Sequence, residues 1–131
     1  ETKLLTMVEL EELHALKTGA LIEASVYSGA ILGGDRAEQI DQLGIYAQNI
    51  GLAFQIKDDI LNVEGNPALL GKAVGTDEIR QKNTYPFLMG LEKSKSFAKE
   101  LVTNALQAIA PFDSKADPLR AIANYIVQRN R

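Results

Sequence analysis

The sequence predicts an all-α fold, and three observations carry that expectation. Apolar residues recur at helical spacing along most of the chain. Neither the alternating pattern of a half-buried strand nor an Asn-Gly hairpin signal is visible, and there is no repeat or low-complexity linker. Glycine and proline stand where helices should stop and start, at Gly33-Gly34, Gly65, Pro67, Pro86 and Pro118.

The elements follow in order. A first long helix is expected from about Val8 to Ile31, stopping at Gly33-Gly34. Asp35 reads as an N-cap, with Glu38 three residues on completing a capping box. The helix it opens should run to about Glu64, with Gly65 as the stop. That is about 29 residues, or roughly 43 Å at 1.5 Å per residue. Asn66-Pro67 starts a short helical turn ending near Gly71, and the glycine-bearing loop "GKAVGTD" follows. Thr84 and Pro86 open another helical stretch that continues, with or without a break, to about Ala110. Pro111 to Asp117 is a loop. Asp117-Pro118 repeats the cap-then-proline signal, and the last helix runs nearly to Arg131.

Composition narrows the function classes. The 131 residues, 46% hydrophobic and 24% charged, suit one ordinary globular domain over 1–131. A net charge of -3 with both signs interspersed gives no basic footprint for nucleic acid and no polybasic membrane patch. The absence of cysteine removes disulfides and thiolate metal sites, and suits a reducing, cytoplasmic setting. No apolar run approaches the ~20 residues of a membrane span, so no stable membrane insertion is expected. The chain begins with Glu1 rather than Met, which raises the expectation of a longer parent.

The second long helix holds the chemical anomaly. On a wheel at 100° per residue, Gln48, Gln55, Asp58, Asp59 and Asn62 share one narrow band with Gly44 and Gly51. Most of the remaining circumference is apolar, so the helix should be buried and its polar stripe should face an internal cavity. The two glycines would leave room for a ligand or a neighbouring backbone. Two carboxylates about 5 Å apart repel by roughly 3 kcal/mol at an effective dielectric of 20, so a buried pair needs a cation. With oxygen donors only, a hard ion such as Mg²⁺ suits best. The alternative is a surface helix with a thin wet edge, which the apolar majority weighs against.

Lysines supply the opposite charge. On the first helix Leu10, Leu13, Leu21 and Ala24 form an apolar stripe with Lys17 in its middle. Lys17 either snorkels to the surface or reaches an anion in the same cavity, with Thr18 offering a hydroxyl beside it. His14 reads as ordinary packing or surface. Lys72 and Lys82 flank the loop after the aspartates. "GNPALLGKA" is no phosphate-binding P-loop: its spacing is one residue too long, Ala73 stands where Ser or Thr is needed, and no strand precedes it. A cationic segment next to a carboxylate pair suits a diphosphate bridged by metal and clamped by lysine. Lys93, Lys95 and Lys99 read as a solvated face.

Four segments together resemble the trans-isoprenyl diphosphate synthases. "LHALKTGALIEASV" is similar to that family's Lys-Thr helix, and "GLAFQIKDDILNVEG" to its second aspartate-rich motif. "LGKAVGTDEIRQKNTYPFLMGLE" resembles the loop and helix that follow, and "YIVQRNR" the C-terminus of bacterial farnesyl diphosphate synthases. The resemblance implies the C-terminal half of an isoprenoid synthase helical bundle around a central cavity. It implies prenyl transfer from an allylic diphosphate to isopentenyl diphosphate, three Mg²⁺ ions, and a homodimer. Carried over by position, Asp58, Asp59 and Asn62 form the metal motif, with Asp58 the foremost direct ligand. Lys17, Lys72 and Lys82 bind the allylic diphosphate, and Thr18 and Gln55 lie near the developing cation.

Two departures qualify the resemblance. The family motif usually reads DDxxD, whereas Asn62 closes the motif here with an amide. That loses several kcal/mol of attraction to a divalent ion at ~5 Å and a dielectric of 20, before desolvation is credited back. The family's first aspartate-rich motif is also missing, so the 131 residues are expected not to be catalytically competent alone. Competing readings are a geranylgeranyl or longer-chain synthase, a terpene cyclase, a non-catalytic subunit of a heteromeric prenyl synthase, and a helical scaffold.

Overall fold

A computed structural model of the chain describes residues 4–34, 36–65 and 83–130, and among them every regular element is helical. Helix α1 spans Met7–His14, opened by Thr6. The Thr6 hydroxyl accepts from the Glu9 N–H at 3.3 Å while the Glu9 carboxylate accepts from the Thr6 N–H at 2.9 Å, so two orphan donors are satisfied reciprocally. The chain then widens into one π-helical turn, Ala15–Gly19, and returns to regular geometry in α2, Ala20–Gly33. The predicted first helix is therefore real but carries an inserted turn at Lys17-Thr18. It stops at Gly34, whose φ of 74° is left-handed and whose N–H reaches the Ala30 and Ile31 carbonyls.

Helix α3, Ala37–Gly65, has the 29 residues the sequence predicts. Its first turn holds a contact the sequence does not announce. The Arg36 N–H donates to Gln39 Oε1 at 3.1 Å, so Gln39 reaches back over the first turn. Asp35, the predicted cap, lies outside the described residues, as do the short turn at 66–71, the following loop, Lys72 and Lys82.

Helix α4, Tyr85–Met89, carries Pro86 in its first turn. It is separated from α5, Leu91–Ala108, only by Gly90 at φ 88°, so the predicted stretch is broken. The last loop differs from expectation as well. Asp113 caps a single 3-10 turn, Ser114–Ala116, accepting from the Lys115 N–H, and that turn runs straight into α6, Asp117–Gln128. Asp117 is thus already helical and caps nothing. It pairs instead with Arg120 at 2.7 Å, and Arg120 also donates to the Ile109, Phe112 and Asp113 carbonyls, tying the loop shut.

Helix α3 is the axis of the assembly. Tyr46, Ala53, Ile56 and Ile60 are buried on it, against Ala98, Leu101, Val102 and Ala105 of α5 and Ala123 and Ile126 of α6. The Tyr46 hydroxyl donates to the Leu119 carbonyl at 2.8 Å, pinning α6 to α3. The α1–α2 rod lies antiparallel to α3, and three close approaches fix its register. The Tyr27 hydroxyl fills the space a Cβ on Gly44 would need, and a Cβ on Gly51 would stand 3.2 Å from the Gly19 Cα. Further along, His14 meets Asp59. Both glycines of the polar stripe thus serve helix packing.

Candidate functional site

That register decides which residues can act together. Gly19 is level with Gly51 and His14 with Asp59, which brackets Lys17 and Thr18 at the level of Gln55. The turn carrying them is π-helical, and such bulges, which re-aim side chains and free backbone carbonyls, concentrate at functional sites. Lys17 is exposed there and Thr18 half-buried.

The polar stripe of α3 is not uniform. Gln55 is buried, the Asp59 side chain is 13% exposed and that of Asp58 41%, while Gln48 and Asn62 are exposed. Among the described residues the expectation that the stripe faces an internal cavity is therefore met only in part: Gln55 and Asp59 are covered, while Gln48 and Asn62 are open. The predicted apolar stripe of the first helix is corrected. Leu10 is buried, but Leu13, Leu21 and Ala24 are exposed. For Leu21 and Ala24 the inserted π turn shifts the phase, so a wheel continued through it at 100° per residue assigns the wrong face, whereas Leu13 lies before that turn and is not explained by it.

Each aspartate has its own partners. Asp59 Oδ2 accepts the Tyr85 N–H at 3.1 Å and stands 3.6 Å from His14 Nε2. The His14 and Tyr85 rings stack at 5.6 Å with planes 19° apart. Burial, with the Glu11 and Asp59 charges added, pushes the Tyr85 hydroxyl well above the usual tyrosine range. Asp58 pairs instead with the Arg129 guanidinium, which also donates to the Phe54 carbonyl at 3.3 Å and lies 4.2 Å above the Phe54 ring. Phe54 in turn borders an apolar groove of about 410 Å³ between α2, α3 and α6, lined by Leu21, Ile22, Val26, Tyr125 and Ile126 among others.

Asp58, Asp59 and Asn62 offer only hard oxygen donors on one helical face. Among the described residues no three His, Cys, Asp or Glu side chains converge into a closed metal cage. Mg²⁺ does not require one, because it is commonly held by one or two carboxylates with substrate phosphates and water. The donor set fits that ion. His14, Tyr85 and Arg129 went unassigned in the sequence reading; the usable signal for His14 was its spacing of four from buried Leu10, which puts it on the covered face.

Comparisons with known proteins agree with the all-α fold. The sequence model of the polyprenyl synthetase family matches residues 1–124. The chain is 44% identical over 131 residues to a farnesyl diphosphate synthase of Micrococcus luteus, covering all of this chain and 45% of that protein. It is 49% identical over 125 residues to a geranylgeranyl diphosphate synthase of Cyanophora paradoxa, covering 95% of this chain and 42% of that one. The crystal structure of an FPP/GFPP synthase from Zymomonas mobilis superposes with a TM-score of 0.80 at 40% identity, over 96% of this chain and 40% of that structure. The chain spans less than half the length of the relatives it matches. Among the described residues no helix is long and apolar enough to cross a membrane.

Proposed function

This chain belongs to the polyprenyl synthetase family, and from that premise we propose that it carries the diphosphate-ionising side of a trans-prenyltransferase site. The reaction is the condensation of an allylic diphosphate, dimethylallyl or geranyl, with isopentenyl diphosphate. The observation that carries this reading is the level placement of the Lys17-Thr18 π turn with Gln55, next to Asp58 and Asp59 on the same helix.

In this reading Asp58 and Asp59 would hold Mg²⁺, and Asn62 would contribute an uncharged oxygen. When bound, the ion would neutralise the diphosphate and stabilise it as a leaving group. Lys17, Lys72 and Lys82 bind the same diphosphate and oppose the charge that develops as its bond to the allylic carbon breaks. The Gln55 carbonyl oxygen and the Thr18 oxygens turn partial negative charge toward the allylic cation. The double bond of isopentenyl diphosphate then supplies the electron pair of the new bond, and loss of a proton completes the step.

Farnesyl diphosphate is the product favoured by the similarity of the tail "YIVQRNR". A geranylgeranyl product is the second reading, because relatives of similar identity bear that name. Calorimetric titration of the 131-residue chain with a bisphosphonate tests the site. Binding is expected with Mg²⁺ and not with EDTA; binding indifferent to the metal, or none, overturns the reading. Asn62→Asp should lower the Mg²⁺ concentration needed for half-maximal binding, and an unchanged requirement would remove Asn62 from the ligand set. The chain alone is expected to show no prenyl transfer, which a radiolabelled isopentenyl diphosphate assay checks directly.

A further inference from the structure

The chain contains one histidine, and it is buried at the junction of three elements. His14 is the last residue of α1, immediately before the π turn. Its ring lies flat on Tyr85, the first residue of α4, and its Nε2 is 3.6 Å from Asp59 Oδ2 on α3. Neither ring nitrogen has a hydrogen-bond partner among the described residues, and the Tyr85 hydroxyl is buried without one as well. Buried polar atoms without partners are uncommon, because each gives up its bonds to water and receives nothing back. A leucine would fill the same space without that cost.

We propose that His14 is a positioning residue for Asp59: its Nε2–H, together with the Tyr85 backbone N–H, engages Oδ2 and leaves the other carboxylate oxygen to the cation. Both contacts to Asp59 fall on the same oxygen, which is the arrangement such a role needs. At 3.6 Å the imidazole is just beyond hydrogen-bond range, and the gap is too narrow for a water. Polar contacts of this kind are often long before a ligand is bound and tighten in the complex. Stacking on Tyr85 fixes the plane in which the ring can close that gap. The inference rests on the assignment of Asp59 to the metal motif. It adds the partner that orients the ligand, as groups behind metal ligands commonly do.

Two measurements test it. The single imidazole can be followed in a long-range ¹H–¹⁵N spectrum without ambiguity. The proton is expected on Nε2, and its resonance should move in Asp59→Asn and on adding Mg²⁺ with a bisphosphonate. A proton on Nδ1, or an Nε2 signal indifferent to Asp59→Asn, overturns the proposal. In the bisphosphonate titration His14→Phe should raise the Mg²⁺ requirement about tenfold. His14→Gln, which keeps an N–H donor near Nε2, should recover most of that loss. Equal affinity in all three chains also overturns it. If His14→Phe fails to fold, His14→Gln and the imidazole spectrum still decide. If the unaltered chain binds no bisphosphonate, the functional reading fails, while the response of Nε2 to Asp59→Asn still decides whether His14 engages that carboxylate.

Discussion

Helices α5 and α2 have opposite relations to water. On α5 the apolar residues Leu101, Val102 and Ala105 are buried, while Glu92, Lys93, Lys99 and Glu100 are exposed. That is the one-sided amphipathic helix, with its covered face supplied by α3 and α6. The α1–α2 rod covers Leu10 and Ala30 against its neighbours, yet Val8, Leu16, Leu21, Ile31 and Leu32 remain at 64%, 79%, 70%, 65% and 88% exposure. Its apolar residues point two ways, and the described residues cover one of them. The first region closes its own surface; the second presents apolar area of the kind that marks contact sites. A core can thus be self-sufficient in one half of a chain while the other half is patterned for more neighbours.

The largest test of that contrast is a pair of alanine substitutions. Ile60→Ala removes a side chain that is 1% exposed, and should destabilise the chain by about 2–5 kcal/mol, read from urea denaturation midpoints. Leu32→Ala, at 88% exposure, should stay within about 0.5 kcal/mol. A comparable cost for both would mean that the α2 face is covered in solution, and the contrast would collapse.

A smaller effect is expected where the two regions touch. A Cβ at Gly51 meets the Gly19 backbone at 3.2 Å, and backbone cannot swing aside. Gly51→Ala should cost about 1–3 kcal/mol and should displace the π turn. At Gly44 the obstacle is the Tyr27 hydroxyl, the far end of a side chain that can rotate away. Alanine there regains up to about 1 kcal/mol of helix propensity, so Gly44→Ala should come out near neutral. Thermal melts of the two variants sharpen the comparison, and equal losses would sink it.

What the sequence made legible follows the same division between local and distant causes. The stop at Gly34, the length of α3 and the proline start of α4 are set by neighbouring residues, and all were readable. Asp58 and Asp59 were readable as a pair because a helix places them by counting. The π turn was not, since one inserted residue leaves no mark in composition, and it carried the wheel of the first helix out of phase from Lys17 onward. The last cap moved from Asp117 to Asp113, because which of several nearby acceptors wins depends on the loop that delivers it. The surroundings of the aspartates were hidden for a different reason. Tyr85 reaches Asp59 from 26 positions away and Arg129 reaches Asp58 from 71, distances over which no periodicity speaks.

The smallest prediction concerns alkaline stability and returns to the self-sufficient half. Tyr46 is fully buried with its hydroxyl on the Leu119 carbonyl at 2.8 Å, and burial pushes its pKa from 10.0 to about 12. An unfolded tyrosine loses its proton near pH 10, whereas folded Tyr46 keeps it until about 12. Above pH 10 the unfolded state therefore binds fewer protons than the folded one, and stability falls as pH rises. The contribution is complete below pH 10 and is lost progressively as pH climbs toward about 12. Tyr46→Phe should cost about 1 kcal/mol at pH 8, where it only removes the hydrogen bond. Its stability should then decline less steeply than that of the unaltered chain between pH 10 and 11. Tyr85 is raised as well, so the difference between the two chains carries the test rather than either curve. Parallel curves would show that α6 is held to α3 by apolar packing, with no proton kept at Tyr46.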